Sequence, residues 1–256
     1  MNNLSSRAFF IVKRNMWSYK DFVVPTILVS LGEPLFYLVA MGLGLGAYMG
    51  ALGGKPYLNF LVPGLIITSA MLSSSFECLY GTFVRMIHEK MFDEYLATPI
   101  SAEDIVAGEI IWAVFRGLIS GLLMLFVSML LGVYPASLIG YVLIFILMMT
   151  VSFLFSSLAM IVTSFAPNFD FFNYYTELFL TPMFFFAGVF FPLDKMPFVF
   201  KLATQFLPLT HAVAISRAIY SGIYNPMLIV RFLILLVVGT ICFFLALYFM
   251  KRRLIK

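Results

Sequence analysis

Six long apolar blocks follow one another along the chain, and each holds few or no charged residues. A helix needs about 20 mostly apolar residues to cross the hydrocarbon core of a bilayer, a length that each block reaches. The pattern therefore predicts an all-α membrane protein with six transmembrane helices, in one membrane domain over residues 22–256. The predicted spans are residues 22–48, 58–84, 105–131, 138–164, 172–191 and 228–250.

Residues 1–21 predict a separate amphipathic helix that lies on the inner membrane surface. One side of its helical projection holds Ala8, Phe9, Val12, Met16 and Tyr19, and the other holds Arg7, Arg14 and Ser18. The pattern is imperfect because Ile11 falls on the polar side. A solvated tail without a membrane contact is the alternative.

The segment between the second and third spans predicts a short amphipathic helix over about residues 86–97, within RMIHEKMFDEYLATPISAED. Its apolar side contains Ile87, Met91, Phe92, Tyr95 and Leu96, and its charged side contains Glu89, Lys90, Asp93 and Glu94. Pro99 stops this helix, and Ser101 with Asp104 is typical of a capped start of the third span. Such a helix suits a groove on a partner protein. The alternative is a helix that rests on the membrane surface without a partner.

The segment after the fifth span, from Phe190 to Pro226, is too apolar for an ordinary loop. Prolines interrupt it at residues 192, 197, 208 and 226. We therefore expect two short re-entrant helices in the outer leaflet. Irregular backbone at that depth must be buried in protein or line a cavity.

Composition and charge agree with a membrane protein. Hydrophobic residues make up 62% of the chain and charged residues 11%, whereas a soluble domain has about a quarter charged residues. The net charge is +4, but Lys and Arg lie at the edges of the apolar blocks and not on one polar face, which argues against nucleic-acid binding. Ten of the 16 basic residues lie in segments that would be inside and five in segments that would be outside. This distribution predicts a multi-pass membrane protein with both termini in the cytoplasm.

The chain lacks the motifs of an enzyme. Its Gly53-Gly54-Lys55 sequence has neither the spacing nor the Ser or Thr of a phosphate-binding loop, so we expect no ATP hydrolysis by this chain alone. No nucleophile–histidine–acid set or metal-ligand spacing is present, so we expect no catalytic residue, metal or cofactor in it.

Glu33, Glu77, Arg116 and Glu177 stand out as ionisable residues within the predicted spans. Glu77 and Arg116 match best in depth on neighbouring antiparallel helices, so we predict an ion pair between them. The alternative is a polar lining that receives a substrate headgroup from the inner leaflet. Tyr174 and Tyr175, in an aromatic cluster around the fifth span, would extend such a path with surfaces for sugar rings or lipid chains.

Several stretches resemble a known family. They are GEPLFYLVAMGLGLG (32–46), FLVPGLIITSAM (60–71), FECLYGTFVRM (76–86), DEYLATPISAEDIVAGE (93–109), APNFDFF (166–172), and FPLDKMP with FLPLTHAV within 191–213. Together they resemble the membrane subunit of type-2 ATP-binding-cassette exporters, most closely the nodulation-protein-J group, which exports lipo-chitooligosaccharide.

The resemblance implies a homodimer of six-span permease subunits with two separate ATPase subunits, which would bind ATP and Mg. It implies that the helix before Pro99 is a coupling helix, and we expect Phe92, Tyr95 and Leu96 to anchor it in the ATPase groove. It also implies a location in the bacterial inner membrane and a substrate path at the dimer interface that opens sideways to the inner leaflet.

We therefore expect this chain to move an amphipathic lipid-linked or lipo-oligosaccharide outward from the inner leaflet. One alternative is a multidrug or antibiotic exporter. A second is an intramembrane lipid-modifying enzyme that uses Glu33, Glu77 or His211 as acid or base, and a third is a membrane anchor or assembly factor.

Overall fold

The computed structural model describes residues 5–20, 32, 34–49, 51–52, 55–193 and 196–255, and most of these are helical. The helices are α1 (Ala8–Tyr19), α2 (Leu38–Leu45), α3 (Gly46–Met49), α4 (Tyr57–Phe76), α5 (Met91–Leu96), α6 (Ala102–Leu130), α7 (Leu138–Phe165), α8 (Phe171–Tyr175), α9 (Thr181–Phe186), α10 (Phe198–Thr204), α11 (Pro208–Ser221) and α12 (Met227–Leu254). A two-stranded antiparallel ribbon, β1 (Ala51–Leu52) and β2 (Lys55–Pro56), precedes α4. The segments Leu38–Leu45, Glu77–Gly81, Val84–His88 and Thr176–Leu180 have π-helical hydrogen bonding.

Within the described part of the chain, four helical segments are long and apolar enough to cross a membrane. They are Tyr57–His88, Ala102–Leu130, Leu138–Phe165 and Met227–Leu254. These four confirm the predicted spans at 58–84, 105–131, 138–164 and 228–250.

The two other predicted spans differ from a simple long helix. The span at 22–48 lies partly outside the described residues, and only residues 34–49 of it are described as a continuous helical stretch. The span at 172–191 is divided into α8, a π-helical segment and α9. Helices α10 and α11 then meet at 91°, as in a broken span or a re-entrant loop. The six-span arrangement and the depth of α10 and α11 stay predictions.

The segment Tyr57–His88 is the centre of the bundle, since 83% of its most apolar window is buried inside the chain. It packs against α6 and α7. Gly117 of α6 permits this approach, because a Cβ atom there would lie 2.8 Å from the carbonyl oxygen of Ala70. Small residues at contacts allow close packing of helices in lipid. In α12, by contrast, only 17% of the corresponding window is buried, so this helix faces lipid or another protein.

Helix α1 packs against α6, and its buried residues are Ala8, Ile11, Val12 and Asn15. Ala8 and Val12 belong to the predicted apolar side. Ile11, which the projection places on the polar side, is 1% exposed because α6 covers it, whereas Phe9 and Met16 are exposed. The position of α1 on the membrane surface stays a prediction. Gly108 of α6 makes room for α1, since a Cβ atom there would lie 2.8 Å from both the Ala8 carbonyl oxygen and Ile11 Cβ.

A firm elbow joins α5 to α6. The Ser101 hydroxyl accepts a hydrogen bond from the Asp104 amide (3.1 Å), and the Asp104 carboxylate accepts one from the Ser101 amide (3.3 Å). This reciprocal cap confirms the predicted start of the third span. The preceding helix is shorter than the predicted 86–97, because the span helix continues to His88 and Lys90 then adopts a left-handed φ of 54°.

Both described ends of the chain meet the start of α6. The Ser5 amide donates to Asp104 Oδ1 (2.6 Å), and Lys251 Nζ lies 2.6 Å from Glu103 Oε1. We call this end of the bundle, which also carries α5, the α5 end. The two described ends of the chain therefore lie on one side, as an even number of spans requires, while their cytoplasmic location stays a prediction.

Candidate functional site

A cluster of four charged residues lies inside the bundle toward the α5 end, and we call it the charged cluster. It consists of Glu77, Arg85, Glu109 and Arg116. Arg116 Nε lies 3.2 Å from Glu77 Oε2, which confirms the predicted ion pair between these two residues.

Arg85 and Glu109 were missed by the sequence reasoning. Arg85 Nη2 lies 2.9 Å from Glu77 Oε1 and 2.5 Å from Glu109 Oε2, and Arg85 Nε also donates to Glu109 Oε2 (3.0 Å). Arg85 lies one residue beyond the predicted second span, so the sequence pattern places it in the loop. Glu109 lies near the start of the predicted third span, and the pattern does not distinguish it from a charge at a span end.

Helical spacing would have found both residues. Residues 77, 81 and 85 recur every four positions on one helix, so they lie on one side of it. Gly81 between the two charges lets them meet, because a Cβ atom there would lie 2.6 Å from Glu77 Oε1. Glu109 and Arg116 are seven positions apart on α6 and share its facing side.

Neutral groups complete the hydrogen bonding of the two carboxylates. Trp112 Nε1 donates to Glu77 Oε1 (2.9 Å), Thr82 Oγ1 donates to Glu109 Oε2 (2.9 Å), and Asn15 Nδ2 donates to Glu109 Oε1 (3.0 Å). Asn15 thereby attaches α1 to the cluster. Two carboxylates face two guanidinium groups, so the charges compensate one another, as burial in an apolar interior requires.

A cleft of about 380 Å³ adjoins the charged cluster. It is lined by Arg14, Asn15, Ser18, Tyr19, Glu77, Gly81, Arg85, Glu89, Trp112 and Arg116. The Arg116 guanidinium lies 4.5 Å from the centre of the Tyr19 ring, which makes a T-shaped contact with Trp112 at 5.5 Å. The cleft therefore offers aromatic surface beside compensated charges.

The other residues of the predicted path do not join this cleft. Glu177 is exposed, Tyr174 is 64% exposed, and neither lines the cleft. Tyr175 is buried and stacks on Phe179 at 5.4 Å. Glu33 lies outside the described residues. His211 is likewise absent from the cleft lining, and its Nε2 lies 2.9 Å from the Gln205 carbonyl oxygen. The structure therefore does not bring His211 together with Glu77 as an acid–base set.

The predicted anchors of α5 divide into two groups. Phe92 is 1% exposed and packs beside Tyr95, so its assignment to a partner's groove is wrong in this structure. Tyr95 and Leu96 are only partly buried, and Pro99 is exposed. The Pro99 carbonyl oxygen accepts a hydrogen bond from Arg7 Nη1, which links the elbow to the start of α1. The exposed side of α5 carries Asp93 and Glu94.

Membrane-length helices, an ion-paired cluster in their interior and a short amphipathic helix at one end define a polytopic membrane protein. The described residues contain no group of three or more His, Cys, Asp or Glu side chains that could hold a metal ion. Comparison with known proteins then shows that the chain belongs to the ABC-2 type transporter family, whose profile matches residues 7–221.

Similar proteins include Nodulation protein J of Sinorhizobium fredii (strain NBRC 101917 / NGR234), 36% identical over 246 residues that cover 95% of this chain and 92% of the relative. Nodulation protein J of Rhizobium meliloti (strain 1021) is 36% identical over 248 residues and covers 94% and 92%. Inner membrane transport permease YadH of Escherichia coli (strain K12) is 24% identical over 250 residues and covers 96% of both chains.

Family membership establishes the general role of the chain. It is the membrane subunit of a bacterial ABC transporter, and its family implies an ABC ATPase as its partner. Its family and its long apolar helices support a location in the bacterial inner membrane.

Proposed function

We propose that two copies of this chain and two ATPase subunits export an amphipathic lipid-linked or lipo-oligosaccharide from the inner leaflet. The observation that carries the proposal is the similarity to relatives named Nodulation protein J, at 36% identity over 95% of the chain. That similarity agrees with the lipo-oligosaccharide export implied by the sequence motifs.

The cleft at the α5 end fits a neutral polar headgroup. Its charged residues already pair with one another, so a strongly charged ligand would have to compete with existing ion pairs. Tyr19 and Trp112 add aromatic surface to the lining, and aromatic rings combine an apolar face with a polar group. These features favour a sugar-bearing headgroup over a polyanion.

A second copy of the chain would cover the exposed side of the fifth predicted span. Tyr174 and Leu178 are 64% and 73% exposed there, and Glu177 between them is exposed as well. A carboxylate within a membrane normally faces protein or water and not lipid. A dimer interface or a water-filled path along this side satisfies that requirement.

Helix α5 would receive the movement of the ATPase. Asp93 and Glu94 are exposed, Tyr95 and Leu96 are partly exposed, and buried Phe92 fixes the helix to the bundle. The Arg7 link and the Ser101 cap would pass a displacement of α5 to α1 and α6 together. Both of these helices contact the charged cluster, α1 through Asn15 and α6 through Glu109 and Arg116.

The proposed cargo can be tested by ATPase stimulation in proteoliposomes that contain this chain and its ATPase. A purified lipo-chitooligosaccharide should stimulate hydrolysis, whereas its deacylated oligosaccharide and a hydrophobic drug of similar size should not. An ATPase variant without the phosphate-binding lysine is the background control. Stimulation by the drug alone would overturn the proposed cargo in favour of a drug exporter.

A further inference from the structure

A second cavity, of about 330 Å³, lies at the end of the bundle opposite α5, and we call it the cationic cavity. It is lined by Phe60, Ala187, Pro192, Leu193, Lys201, Gln205, Thr210, Val213, Ala214, Arg217 and Arg231. Three of these residues are basic, and none of the described lining residues is an Asp or Glu.

Arg217 is fixed in place without a carboxylate partner among the described residues. Its Nη2 donates to the carbonyl oxygens of Gly188 and Val189 (3.0 Å for Val189), and its Nε donates to that of Phe60 (3.3 Å). Its guanidinium also lies 3.6 Å from the centre of the Phe60 ring. These contacts orient the group, and none of them comes from a carboxylate among the described residues.

Two further groups of the wall point to an anionic ligand. Arg231, in the second turn of α12, forms no ion pair within the described part of the chain. Thr210 is 2% exposed, and its hydroxyl has no hydrogen-bond partner there. A buried hydroxyl without a partner costs free energy, and it can rotate to donate to a bound oxyanion.

The neighbouring helix α10 places this cavity at a lipid surface. Phe198, Val199 and Phe206 on and after α10 are 77%, 74% and 81% exposed. In a membrane protein, such an apolar helix enters the bilayer boundary, where phosphate groups of lipids lie beside basic side chains.

From these observations we infer that the cationic cavity binds the phosphate oxyanion of an anionic lipid headgroup, at the membrane surface opposite α5. The Nη1 group of Arg217, the guanidinium of Arg231 and the hydroxyl of Thr210 would contact its oxygens, since Nε and Nη2 of Arg217 already donate to carbonyl oxygens. Arg231 suits this role because a guanidinium group can donate paired hydrogen bonds to phosphate. The inference does not depend on the identity of the cargo.

The test uses the purified full chain with its ATPase in nanodiscs, without ATP. Native mass spectrometry should detect phosphatidylglycerol retained by the wild type, and the Arg231→Gln variant should retain it about tenfold more weakly, as the loss of one charged hydrogen bond implies. Thr210→Val should weaken retention in the same direction. The control is Arg252→Gln, which changes an exposed arginine at the other end of α12 and should retain the lipid fully.

Two further measurements keep a loss of folding apart from a loss of binding. In phosphatidylcholine nanodiscs, the Arg231→Gln variant should unfold at the wild-type temperature, and Arg231→Lys should recover most of the lipid retention. Inorganic phosphate added to the wild type in phosphatidylcholine nanodiscs should raise the unfolding temperature less than phosphatidylglycerol added to the lipid of the nanodiscs. An equal effect of phosphate that Arg231→Gln abolishes would support the site but assign it to a free anion. Equal retention by the wild type and Arg231→Gln, or equal loss in Arg252→Gln, would overturn the inference.

Discussion

At the scale of single residues, the charged cluster places each buried charge against an opposite one. Glu109 is fully buried, and Arg85 is its only cationic partner among the described residues. Glu77 has two such partners, Arg85 and Arg116. The two arginines are therefore not equivalent, because only the loss of Arg85 leaves a buried carboxylate without a cation.

Substitution of the two arginines should separate these roles. Arg85→Met should lower the free energy of unfolding by about 3–5 kcal/mol, the usual cost of an unpaired buried charge. Arg116→Met should cost less, because Arg85 and Trp112 still hold Glu77. Adding Glu109→Gln to Arg85→Met should recover part of the loss. Thermal unfolding in detergent measures all three, and a larger effect of Arg116→Met would contradict this arrangement.

The sequence predicted the contacts of a residue correctly where a single charged residue inside an apolar block was enough to identify it. Glu77 and Arg116 each stand out inside a span, so their pairing was predictable. Arg85 was not predicted as part of the cluster because the end of a helix is uncertain by a few residues in sequence. The position of that end decides whether a charged residue lies in the span or in the loop. Phe92 was misassigned because periodicity reveals an apolar side but not whether the same chain covers it.

At the scale of elements, α5 and α1 form one unit with α6. The reciprocal cap at Ser101, the Arg7 link to Pro99 and the contact of Asn15 with Glu109 connect the three helices. The cap was readable from two residues in sequence. The packing of α1 was not, because it depends on Gly108 in an element about a hundred residues away.

The acidic side of α5 should be needed for contact with the ATPase. Reversal of both charges in Asp93→Lys with Glu94→Lys should leave the chain folded, because both side chains are exposed, but abolish co-purification of the ATPase. Asp170→Lys, an exposed acid in the loop between α7 and α8, is the control and should have no effect. Normal complex formation by the double variant would contradict this role and favour the alternative that α5 rests on the membrane surface without a partner.

The contact of α1 with α6 should be sensitive to the size of residue 108. Gly108→Val should destabilise the protein by about 1–3 kcal/mol, the typical cost of overpacking, since even a Cβ atom meets Ala8 and Ile11. Gly44→Val is the matched control, because the nearest atom to a Cβ there is 4.0 Å away. Fluorescence-detected thermal unfolding should show a loss for position 108 alone. Equal unfolding temperatures for the two variants would mean that α1 does not pack on α6.

At the scale of the whole molecule, the two described ends of the chain lie at the same end of the bundle. Ser5 and Lys251 both bind the start of α6, which agrees with an even number of spans between them. Hydropathy predicted four of the long apolar helices correctly because those blocks are uninterrupted. It was less informative for the proline-rich segment around α10 and α11, since apolarity alone does not distinguish a broken span from a re-entrant pair.

Labelling of single cysteines should establish the orientation. In a background without Cys78 and Cys242, a cysteine at Ala203 should react with an impermeant maleimide in intact cells, because this residue is exposed on α10. A cysteine at Arg252 or Lys90, both exposed at the α5 end, should react only after permeabilisation. Reaction at position 90 in sealed cells would mean that the topology is the inverse of the predicted one.

We propose that this chain forms the path through which an ATPase on a separate subunit exports a lipo-oligosaccharide. The most direct test of this proposal is the movement of a fluorescent lipo-chitooligosaccharide between the leaflets of proteoliposomes, followed by quenching with an impermeant reductant. With both wild-type subunits present, we predict ATP-dependent movement away from the leaflet that faces the ATPase. When the Asp93→Lys, Glu94→Lys variant replaces the wild-type chain, we predict no such movement. Movement at the same rate without ATP, or without this chain, would contradict the account.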